Sequence, residues 1–589
     1  MTNSPENQMI AEFHVPVKMS DGIVLRANIY RPNREGRWPV LLHRHPYNKD
    51  APPVSFGLYD ISRAVASGYV IIVQDTRGRF ASEGDWDLLR TANQEAFDSR
   101  DTIRWVAQLP YSNGRVGLFG ESYSAFVQWA GMLQNPPELK ATAPSFSWSD
   151  PFDGLMYRGG ALELGFLSYW RLGMHLDTVP RLYSDERERA IALKRLISDI
   201  DHLQTGIKAL PLKNLAPFAR NQAAPSLLEH WERGMNPKDA EALSLKGKYD
   251  QLTVPTLNIA GWYDIFLQGT IDNFLQMRKK GGSPEARQSK LIIGPWMHLD
   301  HGHQAGEIQF GLVAHSAVAD LTGLQLRWFD HFLKEKDTGL ASDAPIRLFV
   351  MGENVWRDEY EWPLARTRFT PYYLHSHGHS NTLHGDGVLS TRFPGQEEPD
   401  HYTYDPMHPV VTKGGAIMMP PDFNSGAFDQ REIESREDVL VYTTSVLEED
   451  VEVTGPVKVR LWASSSAVDT DFVARLVDVH PDGYAQNITD GIIRARYRNA
   501  AEGEAPSLIE PGKPYLYEID LWSTSNLFKK GHRIRLDITS SNFPRWDRNP
   551  NTGNPWGEDR EEDMAVARQT IFHDAEHPSS LILPVIPLS

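Results

Sequence analysis

The sequence predicts a doubly wound α/β domain that is interrupted by a helical insertion and followed by an all-β sandwich. Three observations carry this reading. Short β-rich runs alternate with helical stretches over the first 140 residues and again from about 250 to 340, the pattern of a largely parallel sheet covered by helices. Between these blocks the pattern is helical and broken by proline, with no convincing strand. Beyond residue 345, β-rich runs succeed one another across Gly/Pro/Asn turns without a long helical period, as in a sandwich or jelly roll.

Taken in order, Phe13–Lys18 and Ile23–Tyr30 flank the turn sequence Ser20-Asp21-Gly22 and predict a hairpin. Pro16 places its first strand at a sheet edge, because proline cannot donate to a ladder on both sides. Pro39–His43, Val70–Gln74 and Val116–Phe119 are predicted strands. Thr91–Gln108 is a predicted helix, with Ala96, Ile103, Trp105, Val106 and Ala107 in helical spacing and Leu109-Pro110 closing it. Arg187–Leu203 is a second, strongly amphipathic helix, and Pro180, Pro211, Pro217 and Pro225 punctuate the helical pieces around it. Thr256–Ala260 and Lys290–Ile293 return to buried-type strands. Asp438–Thr443, Val457–Trp462, Val473–Val479, Tyr515–Leu521 and Ile534–Thr539 are the β-rich runs of the last third. The expected domains are therefore 1–145 with 246–344 (α/β), 146–245 (helical cap) and 345–589 (jelly roll).

Composition narrows the function. The 589 residues contain no cysteine, which excludes disulfides, a thiol nucleophile and metal sites built on thiolates. Lys+Arg is 60 against 77 for Asp+Glu, a formal charge of −17, which repels polyphosphate and argues against a nucleic-acid partner. The N-terminal MTNSPENQMIAEFHVPVKMSDG has no basic region followed by an apolar one, so no signal peptide is expected. No apolar run approaches the roughly 18–20 residues that span a bilayer. A soluble, cytoplasmic protein is expected, either monomeric or homo-oligomeric.

The chemistry is concentrated at strand ends. Val116–Phe119 runs into Gly120-Glu121-Ser122-Tyr123-Ser124, and Ala125–Gln134 then reads as helix. Strand, tight turn with a central serine, helix is the setting of a nucleophile elbow. The strained turn needs small flanking residues; Gly120 is one, and Ser124-Ala125 stand where a last glycine is usual. Alone, such a motif arises by chance roughly once in a chain of this length. Two further strand ends support it. Val254–Ala260 leads into Gly261-Trp262-Tyr263-Asp264, and Lys290–Ile293 into Gly294-Pro295-Trp296-Met297-His298. In open α/β sheets ligands bind beyond the carboxyl ends of the strands. Ser122, Asp264 and His298 also stand in the chain order of α/β-hydrolases, with the cap between nucleophile and acid.

The runs G-E-S-Y-S-A-F-V-Q-W, G-W-Y-D, G-P-W-M-H and the early R-H-P-Y together resemble the cocaine esterase-like (CocE/NonD) hydrolases, within the X-Pro dipeptidyl-peptidase-like α/β-hydrolases. The resemblance extends over nearly the whole chain, since that family joins an α/β-hydrolase domain, a helical cap and a C-terminal jelly roll. It implies Ser122 as nucleophile, His298 as general base and acid, and Asp264 as the residue that orients the imidazole. It also implies an oxyanion hole formed by the Tyr123 backbone N–H and the Tyr47 hydroxyl. The expected reaction is acyl transfer from a carboxylic ester through an acyl-enzyme, with no cofactor or metal and a small-molecule ester or amide as partner. Activity is expected to fall at acidic pH as the imidazole takes up a proton.

Phe146, Trp148, Trp170, Trp262, Phe266 and Trp296 lie near the elbow, the cap entrance or the triad loops and are candidate substrate contacts. Within the family, α-amino-acid ester hydrolases carry an acidic pair after the catalytic acid, whereas Thr270–Arg278 here contains the lone Asp272. The larger X-Pro dipeptidyl peptidases have an N-terminal helical domain absent from this sequence. A neutral acyl or aryl ester is therefore the expected substrate, with peptidase-like, amino-acid-ester or β-lactam acyl transfer as the alternative. Two readings of other classes remain. The run His298-Leu299-Asp300-His301-Gly302-His303 has metal-ligating residue types but no metallohydrolase spacing. A jelly roll can bind carbohydrate, although fold alone decides nothing. Asp469-Thr470-Asp471 reads as a strand-edge turn rather than a calcium loop.

Overall fold

The computed structural model describes residues 9–51, 59–222, 228–230, 237–500 and 503–587. Pro225 and the first eight residues lie outside these ranges.

The first layer is a ten-stranded sheet. Its strands are β1 (Met9–Lys18), β2 (Val24–Pro32), β3 (Trp38–His45), β4 (Val70–Asp75), β5 (Ser112–Glu121), β6 (Leu139–Ser145), β7 (Leu257–Tyr263), β8 (Lys290–Met297), β9 (Ile346–Val350) and β10 (Val355–Glu359). They lie in the order β1-β2-β4-β3-β5-β6-β7-β8-β9-β10. From β4 to β9 the pairing is parallel, and only the two ends carry antiparallel strands. The expected hairpin is β1–β2, and β1, with Pro16, is the edge strand.

Period-2 alternation divides the core into two faces. Leu41, Ile71 and Val73 point to the side covered by the helices Ile61–Ala66 and Leu321–Lys334. Val40, Leu42, Val70 and Ile72 point to the side covered by Ala92–Ala107, Tyr123–Met132 and Leu267–Lys280. Gly117 sits in the middle of β5 because a Cβ there would meet the Phe329 ring at 2.7 Å and Leu41 at 2.8 Å, so glycine permits the helix 321–334 to pack on the sheet.

Between β6 and β7 the chain forms the helices Leu164–Thr178, Glu186–Asp201 and Ala216–Asn221. Glu186–Asp201 is the amphipathic helix expected at Arg187–Leu203; the Asp185 side chain accepts from the Glu188 N–H and so fixes its start. Pro180 and Pro217 open short helical turns, and Pro211 precedes one. A two-residue ladder, Tyr157–Arg158 with Ala161–Leu162, corrects the expectation of a strand-free insertion.

The first sheet runs past residue 344. Parallel pairing of β9 with β8 and the return strand β10 carry the first sheet on to residue 359. A β-rich run carries no local mark of the sheet it joins. The chain then forms an all-β domain whose strands include Arg368–His375, Val451–Ser465, Asp471–Val479, Ala485–Arg494, Tyr515–Phe528, Arg533–Thr539 and Ser580–Ile586. Its core is aliphatic and aromatic, drawn from alternate residues such as Val457, Val459, Leu461 and Ala463. Among the described residues, no helix is long and apolar enough to cross a membrane.

Candidate active site

Four strand ends converge on one point. Tyr47 follows β3, Ser122 follows β5, Asp264 follows β7 and His298 follows β8, all at the carboxyl edge of the parallel sheet. Ser122 sits between strand and helix with φ 60° and ψ −123°, a positive-φ conformation that a non-glycine residue adopts only under structural constraint. Gly120 meets the requirement for a small neighbour: a Cβ there would lie 2.6 Å from the His43 ring and 2.7 Å from Ser124 Cβ. Ser124 in turn bonds His43 Nε2 at 3.1 Å, so the hydroxyl that replaces the usual glycine is held beneath the elbow.

His298 Nε2 is 3.0 Å from Ser122 Oγ, and its Nδ1 is 2.6 Å from Asp264 Oδ1. Asp264 is fully buried, and burial raises its carboxyl against the opposing pull of His298. Phe266 stands edge-on to the imidazole at 5.2 Å. The hydroxyl of Tyr47 lies beside Ser122 and accepts from Trp170 Nε1 at 3.3 Å. Burial pushes that phenol up to about 12, so it remains a donor through the neutral range. The Tyr123 N–H belongs to the first turn of its helix, where no intrahelical acceptor exists.

These groups open on a cavity of about 410 Å³. One wall is the cap, through Tyr169, Trp170, Met174, Leu176 and Ile200; Met418 from the C-terminal domain closes another. Of the six aromatics expected to contact substrate, only Trp170 is on the cavity wall. Phe146 and Phe266 pack behind His298 instead. Trp148, Trp262 and Trp296 are corrected to core residues: their indole N–H groups are committed to the carbonyls of Leu243 (3.0 Å), Phe349 (2.7 Å) and Ala314 (2.7 Å).

Arg79, Glu121 and His45 are among the charged or ionisable wall residues absent from the sequence-based set. Arg79, 2% exposed, donates from Nε to the Pro46 carbonyl (3.0 Å) and from Nη1 to the Met174 carbonyl (2.7 Å), and it stacks on Trp86. Burial lowers its guanidinium to about 10, still charged at neutral pH. Glu121, beside Ser122, is pushed up to about 8 by burial and then by the charge of Asp264. His45 falls to about 4 through burial and the nearby Lys49. The doubled basic residues of Arg77-Gly78-Arg79 and the polar run His43-Arg44-His45 are the signals that point to them. The His298–His303 run does not converge on a metal: Asp300 accepts from Gly302, His301 stacks on Phe146 at 4.8 Å and His303 stacks on His315.

A protein-family model described as X-Pro dipeptidyl-peptidase (S15 family) matches residues 21–300, and one described as X-Pro dipeptidyl-peptidase C-terminal non-catalytic domain matches 338–582. The chain is 38% identical over 581 residues to the cocaine esterase of Rhodococcus sp. (strain MB1 Bresler), covering 97% of this chain and 98% of that protein. The chain belongs to the CocE/NonD family of serine hydrolases. A CocE/NonD hydrolase of Staphylococcus aureus superposes with a TM-score of 0.69 at 19% identity, over 98% of this chain and 94% of that one. An α-amino acid ester hydrolase superposes with a TM-score of 0.79 at 23% identity, over 99% and 98% of the two chains. An aminopeptidase from a marine sediment Thaumarchaeota archaeon gives 0.78 at 24% identity, over 100% and 98%. At such identities these likenesses speak to fold, and the family architecture is the one described above: a hydrolase sheet followed by an all-β domain.

Proposed function

We propose that this protein is a carboxylesterase that cleaves neutral acyl or aryl esters through an acyl-enzyme on Ser122. The observation that carries the reading is the continuous line Asp264–His298–Ser122, at 2.6 and 3.0 Å, opening on a largely apolar cavity. His298 takes the Ser122 proton as Oγ bonds to the ester carbonyl carbon, and the carbonyl π electrons move to oxygen. Tyr47 Oη and the Tyr123 N–H are placed to donate to that oxyanion. Collapse of the intermediate breaks the C–O bond, and His298 returns the proton to the departing alcohol. Water then repeats the cycle on the acyl-enzyme and releases the acid. Asp264 keeps the imidazole in the tautomer that presents Nε2 to the serine.

The apolar cap wall supports an uncharged acyl or aryl group, and 38% identity to a cocaine esterase supports an ester over an amide. The −17 charge supports an enzyme of small molecules with no nucleic-acid partner. A fluorophosphonate probe tests the assignment: one equivalent of label is expected on the peptide containing Ser122, and none on Ser122→Ala. A folded protein that takes no label, or a labelled Ser122→Ala, contradicts it.

A further inference from the structure

The all-β domain carries a second cluster of functional side chains, remote from Ser122 in the sequence and built by strand register. Asp471–Val479 and Arg533–Thr539 pair antiparallel, with Asp478 opposite Ile534 and Val479 opposite Arg533. Continuing that register by one residue sets His480 against His532. Asp478 and His480 are two residues apart, so they share a face of the strand. Three side chains from two adjacent strand ends are thereby directed to one place. One ligand atom from each of Asp478, His480 and His532 lies within 4.8 Å of the other two. The two imidazole rings are 4.5 Å apart and tilted by 35°.

The hydrogen bonding of this cluster is one-sided. His532 uses Nδ1 to bond Asp478 Oδ1 at 2.8 Å. His480 uses Nε2 to bond the side-chain oxygen of Gln486 at 3.2 Å, and the Gln486 amide nitrogen faces the Tyr263 hydroxyl at 3.5 Å. Each ring therefore has one nitrogen held by an oxygen acceptor. No described residue bonds the other nitrogen of either ring, Nδ1 of His480 or Nε2 of His532. His480 shows the division of a metal-ligating histidine, with Nε2 fixed by the outer acceptor Gln486 and Nδ1 open, whereas His532 Nδ1 and Asp478 Oδ1 are a proton-bridged pair of ligands whose shared proton the ion displaces. The cluster also borders a cavity lined by Glu307, Gln486, Asn526 and Lys529, which provides an entry path and room for water ligands.

We propose that Asp478, His480 and His532 form a binding site for a borderline divalent cation of the Zn²⁺ type. Two imidazoles and a carboxylate suit Zn²⁺ and its first-row neighbours and disfavour Mg²⁺ and Ca²⁺, which take oxygen ligands. Bonds of about 2.0–2.2 Å require the ligand atoms to approach more closely than 4.8 Å. Rotation of the two half-buried histidines at the strand ends supplies that movement. The site lies where the sandwich meets the first domain, because the same cavity is lined by Phe310, Gly352 and Asn354. An ion there clamps two strand ends against that junction, which gives it a structural role separate from ester cleavage.

The test uses the full-length protein without an affinity tag, stripped with a chelator and titrated with ZnCl₂, with MgCl₂ in parallel. One saturable equivalent of Zn²⁺, measured by calorimetry and elemental analysis, and a higher Tm with Zn²⁺ but not Mg²⁺ are expected. The His480→Ala/His532→Ala double variant is expected to lose both. His480→Ala alone, a change at a half-exposed position, is expected to weaken Zn²⁺ binding by at least about tenfold, and it serves if the double variant fails to fold. No saturable equivalent in the wild type, or unchanged affinity in the variants, overturns the proposal.

Discussion

Ser122 is held at φ 60° by its surroundings rather than by any preference of its own. The β5 ladder fixes the residue before it, and the Ser122 N–H bonds the Ser145 carbonyl of the neighbouring strand at 3.0 Å. The elbow was legible in the sequence because such a turn demands small residues at set positions, and Gly120 and Ala125 announce it. Tyr47 was legible only through the family resemblance, since a lone tyrosine after a strand has no spacing rule of its own. The wall aromatics were not legible, because whether an indole faces a cavity or a backbone carbonyl depends on packing partners far away in sequence. The Tyr47 hydroxyl provides the clearest test at this scale. Tyr47→Phe retains the ring stacked on His45 and removes the hydroxyl, both the donor toward the oxyanion and the acceptor for Trp170 Nε1. It is expected to lower kcat by roughly 10²–10³-fold, about 3–4 kcal/mol, as for other single oxyanion donors, with KM little changed. Steady-state kinetics on p-nitrophenyl acetate check it; an unchanged kcat excludes Tyr47 from the oxyanion hole.

At the scale of elements, the helix Leu164–Thr178 has to be registered against the loop after β3, because one supplies Trp170 and the other Tyr47. Arg79 links them, through the Met174 and Pro46 carbonyls. Arg79→Met removes both bonds while leaving a side chain of similar reach. A displacement of about 1 Å in a catalytic group costs on the order of 10²-fold in rate, so kcat/KM is expected to fall roughly 10- to 100-fold with Tm changed by only a few degrees. A lysine in its place cannot make the forked contact, and comparable loss in Arg79→Lys distinguishes geometry from charge. A second link between elements lies in the all-β domain. His573 bonds Asp400 at 3.0 Å and Glu397 at 3.2 Å, and Ser376 and Tyr442 also donate to Asp400. Burial opposes both ions. The hydrogen bonds nevertheless hold Asp400 down to about 2, and the two carboxylates hold His573 above its ordinary value. Asp400 therefore stabilises the fold above about pH 4, an effect lost as pH falls toward 2. His573 stabilises it below about pH 6.5, an effect lost as pH rises through its raised value. His573→Gln is expected to destabilise the fold near pH 5 and to do so less as pH rises toward 9, by urea unfolding across pH. A deficit independent of pH contradicts a charged bridge.

Across the whole molecule, the strands that the sequence revealed were those with dense β-branched burial, such as Val70–Asp75 and Asp471–Val479, both buried at every position. Arg368–His375 and Ala567–Phe572 escaped because they are partly exposed and interspersed with polar residues. The end of the first sheet escaped for another reason: β9 and β10 belong to it only by virtue of the partner β8, and long-range pairing has no local sequence signal. The same long-range contacts bind the two domains. Arg158, from the insertion, is buried over the Trp522 ring at 3.8 Å and donates to the Asp490 and Asp520 carbonyls. Trp546 donates to Glu163 at 2.8 Å, and the Leu162 N–H to Asp547 at 2.7 Å. Phe543 lies within the apolar cluster of the cap itself. Tyr263, next in the chain to Asp264, reaches the Asn487 carbonyl. The C-terminal domain is thus part of the wall and support of the site, not a separable module. A chain ending at residue 361 would leave Arg158 in water without its ring and carbonyls and would uncover the apolar cap core that Phe543 packs into, and each large apolar side chain uncovered costs roughly 1.5–3 kcal/mol. Since a whole domain is stable by only about 5–15 kcal/mol, that chain is expected to aggregate and to leave Ser122 unlabelled by a fluorophosphonate. Size-exclusion chromatography followed by labelling measures both properties. A monodisperse fragment that still takes one equivalent of probe would show that the first sheet and cap assemble the site unaided, and that the contacts around Arg158 and Phe543 contribute little to it.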